Sequence, residues 1–163
     1  MKIITLSFSK AEIFQQVALA TAYTGAKAEP PNNNTNTSDK LISAGQLFDR
    51  VATINSDSSI LSTIYTQVCG EVQDKFKTFI TAVDTSLEAL TLTLELSGAY
   101  DDSLTESVKG DIFEAMVAGI TAGWFRYSLP SAVTDLENRC SQLLSRAFAK
   151  LCHRRKPDRR QKV

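Results

Sequence analysis

Two short segments of the chain have the residue pattern of β-strands. Residues 2–8 are rich in β-branched and aromatic types, and residues 90–97 place a leucine at every second position, with polar residues between. A period of two puts all four leucines on one face of a half-buried strand. Because one strand is not stable alone, we predict that the two segments pair, which brings the N-terminus to the middle of the chain.

The rest of the pattern indicates helices, because apolar residues recur at spacings of three and four. Such segments lie at about 10–25, 39–53, 58–83, 104–127 and 131–153. Ser9 and Glu12 have the spacing of a capping box, so the first helix is expected to begin at Lys10. Gly25 is expected to end it. Residues 26–38, which hold two prolines and a run of Asn and Thr, predict a flexible loop.

The predicted fold class is therefore α+β and predominantly helical. About five helices accompany a small two-stranded sheet formed by residues 2–8 and 90–97. A chain of 163 residues fits one domain, residues 1–152, followed by an extended basic C-terminal arm, residues 153–163. No apolar run approaches the roughly 20 residues that a bilayer requires, so we expect no membrane contact.

Charge is divided unevenly between the domain and the arm. The 18 basic and 18 acidic residues cancel, but the arm holds six of the basic residues and one acid. Residues 1–152 thus keep 12 basic and 17 acidic residues. A basic arm on an acidic body predicts contact with a partner, either phosphate or an acidic protein surface. The residues expected to make that contact are His153, Arg154, Arg155, Lys156, Arg159, Arg160 and Lys162.

The sequence contains no pattern typical of a catalytic or metal site. Its one histidine, His153, lies in the arm, which is not expected to hold a catalytic geometry. Cys140, Cys152 and His153 lack the two close pairs of a zinc site, and the glycines have neither Walker nor dinucleotide spacing. We predict a protein that is not an enzyme and uses no cofactor or metal. Three carboxylates at a predicted helix start are explained by the helix dipole: Asp101, Asp102 and Glu106.

A strip of small residues runs along the helix predicted at 104–127. Gly119 and Gly123 lie beside Trp124 and Tyr127, with three alanines nearby. Such a strip permits close crossing by another helix of the same bundle. It equally fits a contact between subunits, with Trp124 or Tyr127 as the anchor. The sequence leaves both alternatives open, and these four residues are the candidate subunit interface.

Three stretches of the chain, residues 21–27, 123–127 and 151–157, together resemble a family of virion structural proteins from tailed phages of gut Bacteroidales. A small helical protein with a short sheet and a protruding C-terminal arm looks, among phage proteins, like a head–tail connector (adaptor) subunit. Such subunits form a ring, often of twelve copies, beneath the portal, and insert their C-terminal segment into a neighbouring protein. The resemblance implies a place in the neck of the virion after assembly in the host cytoplasm.

The resemblance also implies the partners, which are other copies of the chain and the portal or other neck and tail proteins. DNA in the lumen of the ring is a further expected contact. The main alternative function is a nucleic-acid-binding accessory protein whose arm contacts phosphates. The arm has no aromatic residue, which argues against stacking on single-stranded bases. An enzyme whose site is built from residues distant in sequence ranks third.

Overall fold

The computed structural model describes residues 1–27, 58–86 and 88–154, and these ranges form four α-helices and one three-stranded sheet. The predominantly helical α+β class is confirmed. The elements are β1 Lys2–Ser9, α1 Lys10–Lys27, α2 Ser58–Phe76, β2 Ile80–Thr85, β3 Ala89–Leu96, α3 Thr105–Ser128 and α4 Val133–Leu151, with 3-10 turns Asp102–Leu104 and Pro130–Ala132 before α3 and α4. The predicted helix at 39–53, residues 28–38 of the predicted loop and residues 155–163 of the arm lie outside the described residues.

The predicted pairing of the first strand with the leucine-rich strand is confirmed. β1 runs antiparallel to β3, from Lys2 opposite Leu96 to Ser9 opposite Ala89. All four leucines of β3 are buried, at 3 % exposure or less. The start of α1 is confirmed as well, because the Glu12 N–H donates to Ser9 Oγ at 3.4 Å.

The two-stranded sheet was wrong, because a third strand occupies part of the predicted helix 58–83. α2 ends at Phe76, a turn follows, and β2 pairs antiparallel with the other edge of β3, which gives the order β1-β3-β2. Phe76, Phe79 and Val83 continue the helical spacing, which explains the error. Residues 80–85 are nevertheless rich in β-branched types, and pairing with β3 decides their conformation.

α3 is the central helix, since it packs against each of the other three described helices. Ile112, Met116 and Ile120 of α3 are completely buried. Tyr127, in the last turn of the same helix, is 74 % exposed. The expected end of α1 at Gly25 was also wrong, because α1 continues to Lys27 and no described glycine has a positive φ. No helix in the described ranges has an apolar stretch sufficient to cross a bilayer.

Candidate interaction surfaces

The arm leaves the domain at the end of α4, at a position that the structure fixes. Leu151 is buried at 3 % exposure, whereas His153 and Arg154 are exposed. Arg154 forms an isolated antiparallel bridge with Tyr100, in the turn that follows β3. The first two predicted contact residues of the arm are thus placed, and the other five, Arg155, Lys156, Arg159, Arg160 and Lys162, lie outside the described residues.

The carboxylates next to this bridge have structural roles. Asp101 caps the 3-10 turn by accepting hydrogen bonds from the Ser103 N–H at 3.2 Å and the Ser103 hydroxyl at 2.9 Å. Asp102 forms an ion pair with Lys2 of β1. Glu106 lies exposed in the first turn of α3, where a negative charge favours the helix. This arrangement fits the explanation by capping and helix dipole.

A buried carboxylate fastens the last turns of α4 to α3. Asp111 of α3 is 5 % exposed and forms ion pairs with Arg146 and Lys150 of α4, the latter at 2.5 Å. Lys150 also donates to Ser107 Oγ at 2.6 Å. Burial alone would raise the pKa of Asp111, but the hydrogen bonds and positive charges of Arg146 and Lys150 outweigh it and lower that pKa. The arm therefore leaves from a helix end that is held in place.

Sequence reasoning did not single out Asp111, although a signal was present. Asp111 lies three residues after Val108 and directly before Ile112, so it belongs to the buried stripe of α3. An acid in an apolar stripe requires a partner, since an isolated buried charge is costly. The two cations that pair with it are four residues apart on α4, which places them on one helix face.

The two candidate interface glycines lie at a close helix crossing within the chain. A β-carbon on Gly119 would lie 3.2 Å from Cγ2 of Val68, and one on Gly123 would lie 2.5 Å from Cγ2 of Ile64. Both contacts are with α2, so these glycines permit the close crossing of a helix of the same bundle, while a contact between subunits stays a prediction. Trp124 is buried at 9 % exposure, while the exposed Tyr127 remains a candidate anchor.

A concave surface, the α2–α4 groove, opens above this crossing. Its floor includes Gly119 and Gly123 of α3, its walls belong to α2 and α4, and its volume is about 590 Å³. Three carboxylates line the walls: Glu71 and Asp74 of α2 and Glu137 of α4. Its two cations are Arg126, which pairs with Glu137 at 2.6 Å, and Lys75, which donates to Ser145 Oγ at 3.2 Å.

The Cys140 thiol, which lines the groove, lies within electrostatic range of two of these carboxylates. Burial raises the pKa of the Cys140 thiol to about 11, and the charges of Glu71 and Glu137 contribute to that rise. Glu71 and Asp74 are exposed and form no ion pair with any residue in the described ranges. The groove thus holds two carboxylates that are available to a cationic partner.

A second, apolar groove lies between α1, α3 and α4, with a volume of about 770 Å³. Two large apolar side chains of α1 line it and are exposed, Leu19 at 57 % and Tyr23 at 63 %. Half-buried Phe113, Val117 and Leu136 complete its apolar lining. Apolar surface that remains exposed in this way is a common feature of contact sites between proteins.

Within residues 1–27, 58–86 and 88–154, no group of three or more His, Cys, Asp or Glu side chains is placed to hold a metal ion. Comparison of the chain with family models, with curated proteins and with solved structures found no match.

Proposed function

We propose that the protein is a non-enzymatic structural subunit of a phage neck, in a head–tail connector (adaptor) ring, and that it docks on portal or tail proteins through its C-terminal arm. The observation that carries the proposal is the division of charge. Six basic residues and one acid lie in residues 153–163, attached to a domain with 17 acids and 12 bases. Arginine, which supplies four of the six, binds carboxylates and phosphates through paired hydrogen bonds.

The way the arm is attached supports this function. The Asp111 ion pairs hold the end of α4, and the bridge to Tyr100 holds the first arm residues. Binding by a segment whose base is already ordered loses less conformational entropy than binding by a free tail. Each copy in a ring would therefore present its arm in the same direction.

Exposed apolar surface supports assembly as well. Leu19 and Tyr23 line the apolar groove, and Tyr127 is exposed at the end of α3. Aromatic side chains are enriched among the residues that contribute most to protein interfaces. These positions are on helices, so a neighbouring subunit would meet a rigid face.

The test is assembly of the purified full chain, alone and with its portal protein, measured by native mass spectrometry and negative-stain microscopy. We expect ring-shaped oligomers or a portal complex. Deletion of residues 155–163 should remove portal binding while the circular dichroism spectrum stays unchanged. A second variant replaces the arm's six basic residues with Gln. It keeps the length of the arm and removes its charge, so it separates the effect of charge from the effect of length. A wild-type protein that stays monomeric and does not bind the portal would contradict the proposal.

A nucleic-acid-binding accessory protein is the second candidate, because the same arm suits phosphates. Five or six phosphate contacts on duplex DNA predict a slope of about −5 for log affinity against log salt concentration. Affinity would then fall about 10³-fold between 50 and 200 mM salt. Absence of DNA binding at low salt, or a flat salt dependence, would remove this candidate.

A further inference from the structure

We infer that the basic arm of one copy binds in the α2–α4 groove of a second copy. This inference rests on the proposed function, since it requires that copies of the chain assemble. It adds a specific receptor for the arm, one that the chain itself carries. The α2–α4 groove and the arm thereby become the two halves of one contact between neighbouring subunits.

The groove has three carboxylates against two cations, and two of the carboxylates form no ion pair within the described ranges, whereas the arm has six bases and one acid. Glu71 and Asp74 are three residues apart on α2, so they are neighbours on one helix face, with β-carbons about 5–6 Å apart. The arm offers two pairs of adjacent arginines, Arg154-Arg155 and Arg159-Arg160. A guanidinium donates two parallel hydrogen bonds to a carboxylate, which a lysine does not do.

The size and the apolar lining of the groove suit an arginine or lysine side chain. Its volume of about 590 Å³ lies within the usual range for ligand-binding clefts. Ile64 and Leu144 provide apolar contacts in the same groove. An arginine or lysine places its aliphatic stem on such apolar surface while its charged end reaches a carboxylate.

The arm leaves α4 at the end of the helix, beyond the residues of α4 that line the groove. Arg154 is bridged to Tyr100 beyond the last turn of α4, and the residues of α4 that line the groove are Glu137, Cys140, Ser141 and Leu144. Residues 155–163 span at most about 30 Å when extended, so the experiment has to separate binding to a neighbour's groove from binding to the arm's own groove.

The experiment uses two full-chain variants with complementary defects. The first carries Glu71→Lys and Asp74→Lys, so it keeps the arm and loses the acidic groove. The second lacks residues 155–163, so it keeps the groove and loses the arm. Each is measured alone and mixed one to one, by sedimentation velocity at low salt. The control variant, Asp84→Lys with Glu88→Lys, reverses two exposed acids of the β2–β3 hairpin, outside the groove.

We expect wild type and the control to associate, and each defective variant alone to associate at least 10-fold more weakly. The mixture should recover a one-to-one complex, because the arm of the first variant enters the groove of the second. Raising the salt concentration to 0.5 M should weaken that complex, since screening shortens the range of the charges.

Two outcomes would overturn the inference. If the mixture forms no complex, the arm does not bind a neighbour's groove. If both variants associate as wild type does, the ring has another contact, so the inference fails while the proposed function stands. If the proposed function itself is wrong, the result is different: the wild-type protein neither associates with itself nor binds the portal.

Discussion

Gly123 lies directly beneath Ile64 at the crossing of α3 and α2, where an added β-carbon would be 2.5 Å from Cγ2 of Ile64. Gly123→Ala should therefore lower the free energy of unfolding by about 1–3 kcal/mol, the usual cost of overpacking. Gly119→Ala should cost less, because its nearest contact would be 3.2 Å. Urea unfolding measures both effects.

Gly110 supplies the control on the same helix, because a β-carbon there would meet nothing within 4 Å. Gly110→Ala should raise stability by about 0.5–1 kcal/mol through helix propensity. If all three substitutions had the same effect, α2 and α3 would not cross as closely as the structure shows.

Asp111→Asn should lower the free energy of unfolding by about 2 kcal/mol. It leaves Arg146 and Lys150 without their buried partner, although the 58 % exposure of Arg146 lets water compensate in part. The control is Glu114→Gln, which breaks an exposed pair with Arg139 and should have little effect. Equal losses in the two variants would show that Asp111 does not anchor α4.

The same carboxylate predicts a pH dependence. The pKa of Asp111 is lower in the folded protein than in the unfolded protein, where it is near 4. The contribution of Asp111 to the free energy of unfolding is therefore complete above the unfolded pKa, and it is lost as the pH falls through the folded pKa. Wild type should therefore lose more stability than Asp111→Asn between about pH 5 and pH 3. Urea midpoints across that range measure the difference, and parallel curves would contradict the prediction.

Tyr65→Phe should leave stability unchanged or raise it by up to about 1 kcal/mol. The Tyr65 hydroxyl is buried and has no hydrogen-bond partner in the described ranges. The Cys69 thiol lies near enough to add to the rise that burial causes in the pKa of Tyr65, but it does not meet hydrogen-bond geometry. In the control Tyr100→Phe, loss of the 3.4 Å contact from Thr105 Oγ1 to the Tyr100 hydroxyl should cost stability. A clear loss in Tyr65→Phe would reveal a partner for its hydroxyl.

Cys152 should react with iodoacetamide well before the other two cysteines. It is exposed, whereas Cys69 and Cys140 are buried, at 1 % and 6 % exposure. A pKa of about 11 also leaves Cys140 almost without thiolate at pH 8. Mass spectrometry of the native protein follows the order of labelling, and urea should make all three react. Equal rates without urea would contradict the packing of α2 and α4.

The sheet shows which strands can be predicted from a sequence pattern and which cannot. Alternation at residues 90–97 identifies β3 and its buried face, and the need for a partner identifies β1. The same reasoning does not predict β2, because the spacings of Phe76, Phe79 and Val83 are also compatible with a helix. The conformation of β2 depends on pairing with β3, which is a contact between segments and not a local preference.

Some of the candidate interaction surfaces can likewise be predicted from the sequence, and others cannot. The arm is visible from composition, and the strip of glycines predicts a close approach without naming its partner. Nothing in the sequence separates Glu71 and Asp74 from other exposed acids, because only the placement of α2 beside α4 makes a groove of them. Asp111 was identifiable in principle from its place in an apolar stripe.

The register of β1 against β3 has a consequence for synthesis on the ribosome. Ser9 pairs with Ala89 and Lys2 with Leu96, so at least 80 residues separate each pair along the chain. At about 5–20 residues per second, the first strand waits about 4–16 s before its partner is made. During that interval Leu6 and Phe8 have no sheet to enter, and a molecular chaperone that shields the nascent N-terminus should raise the yield of folded protein.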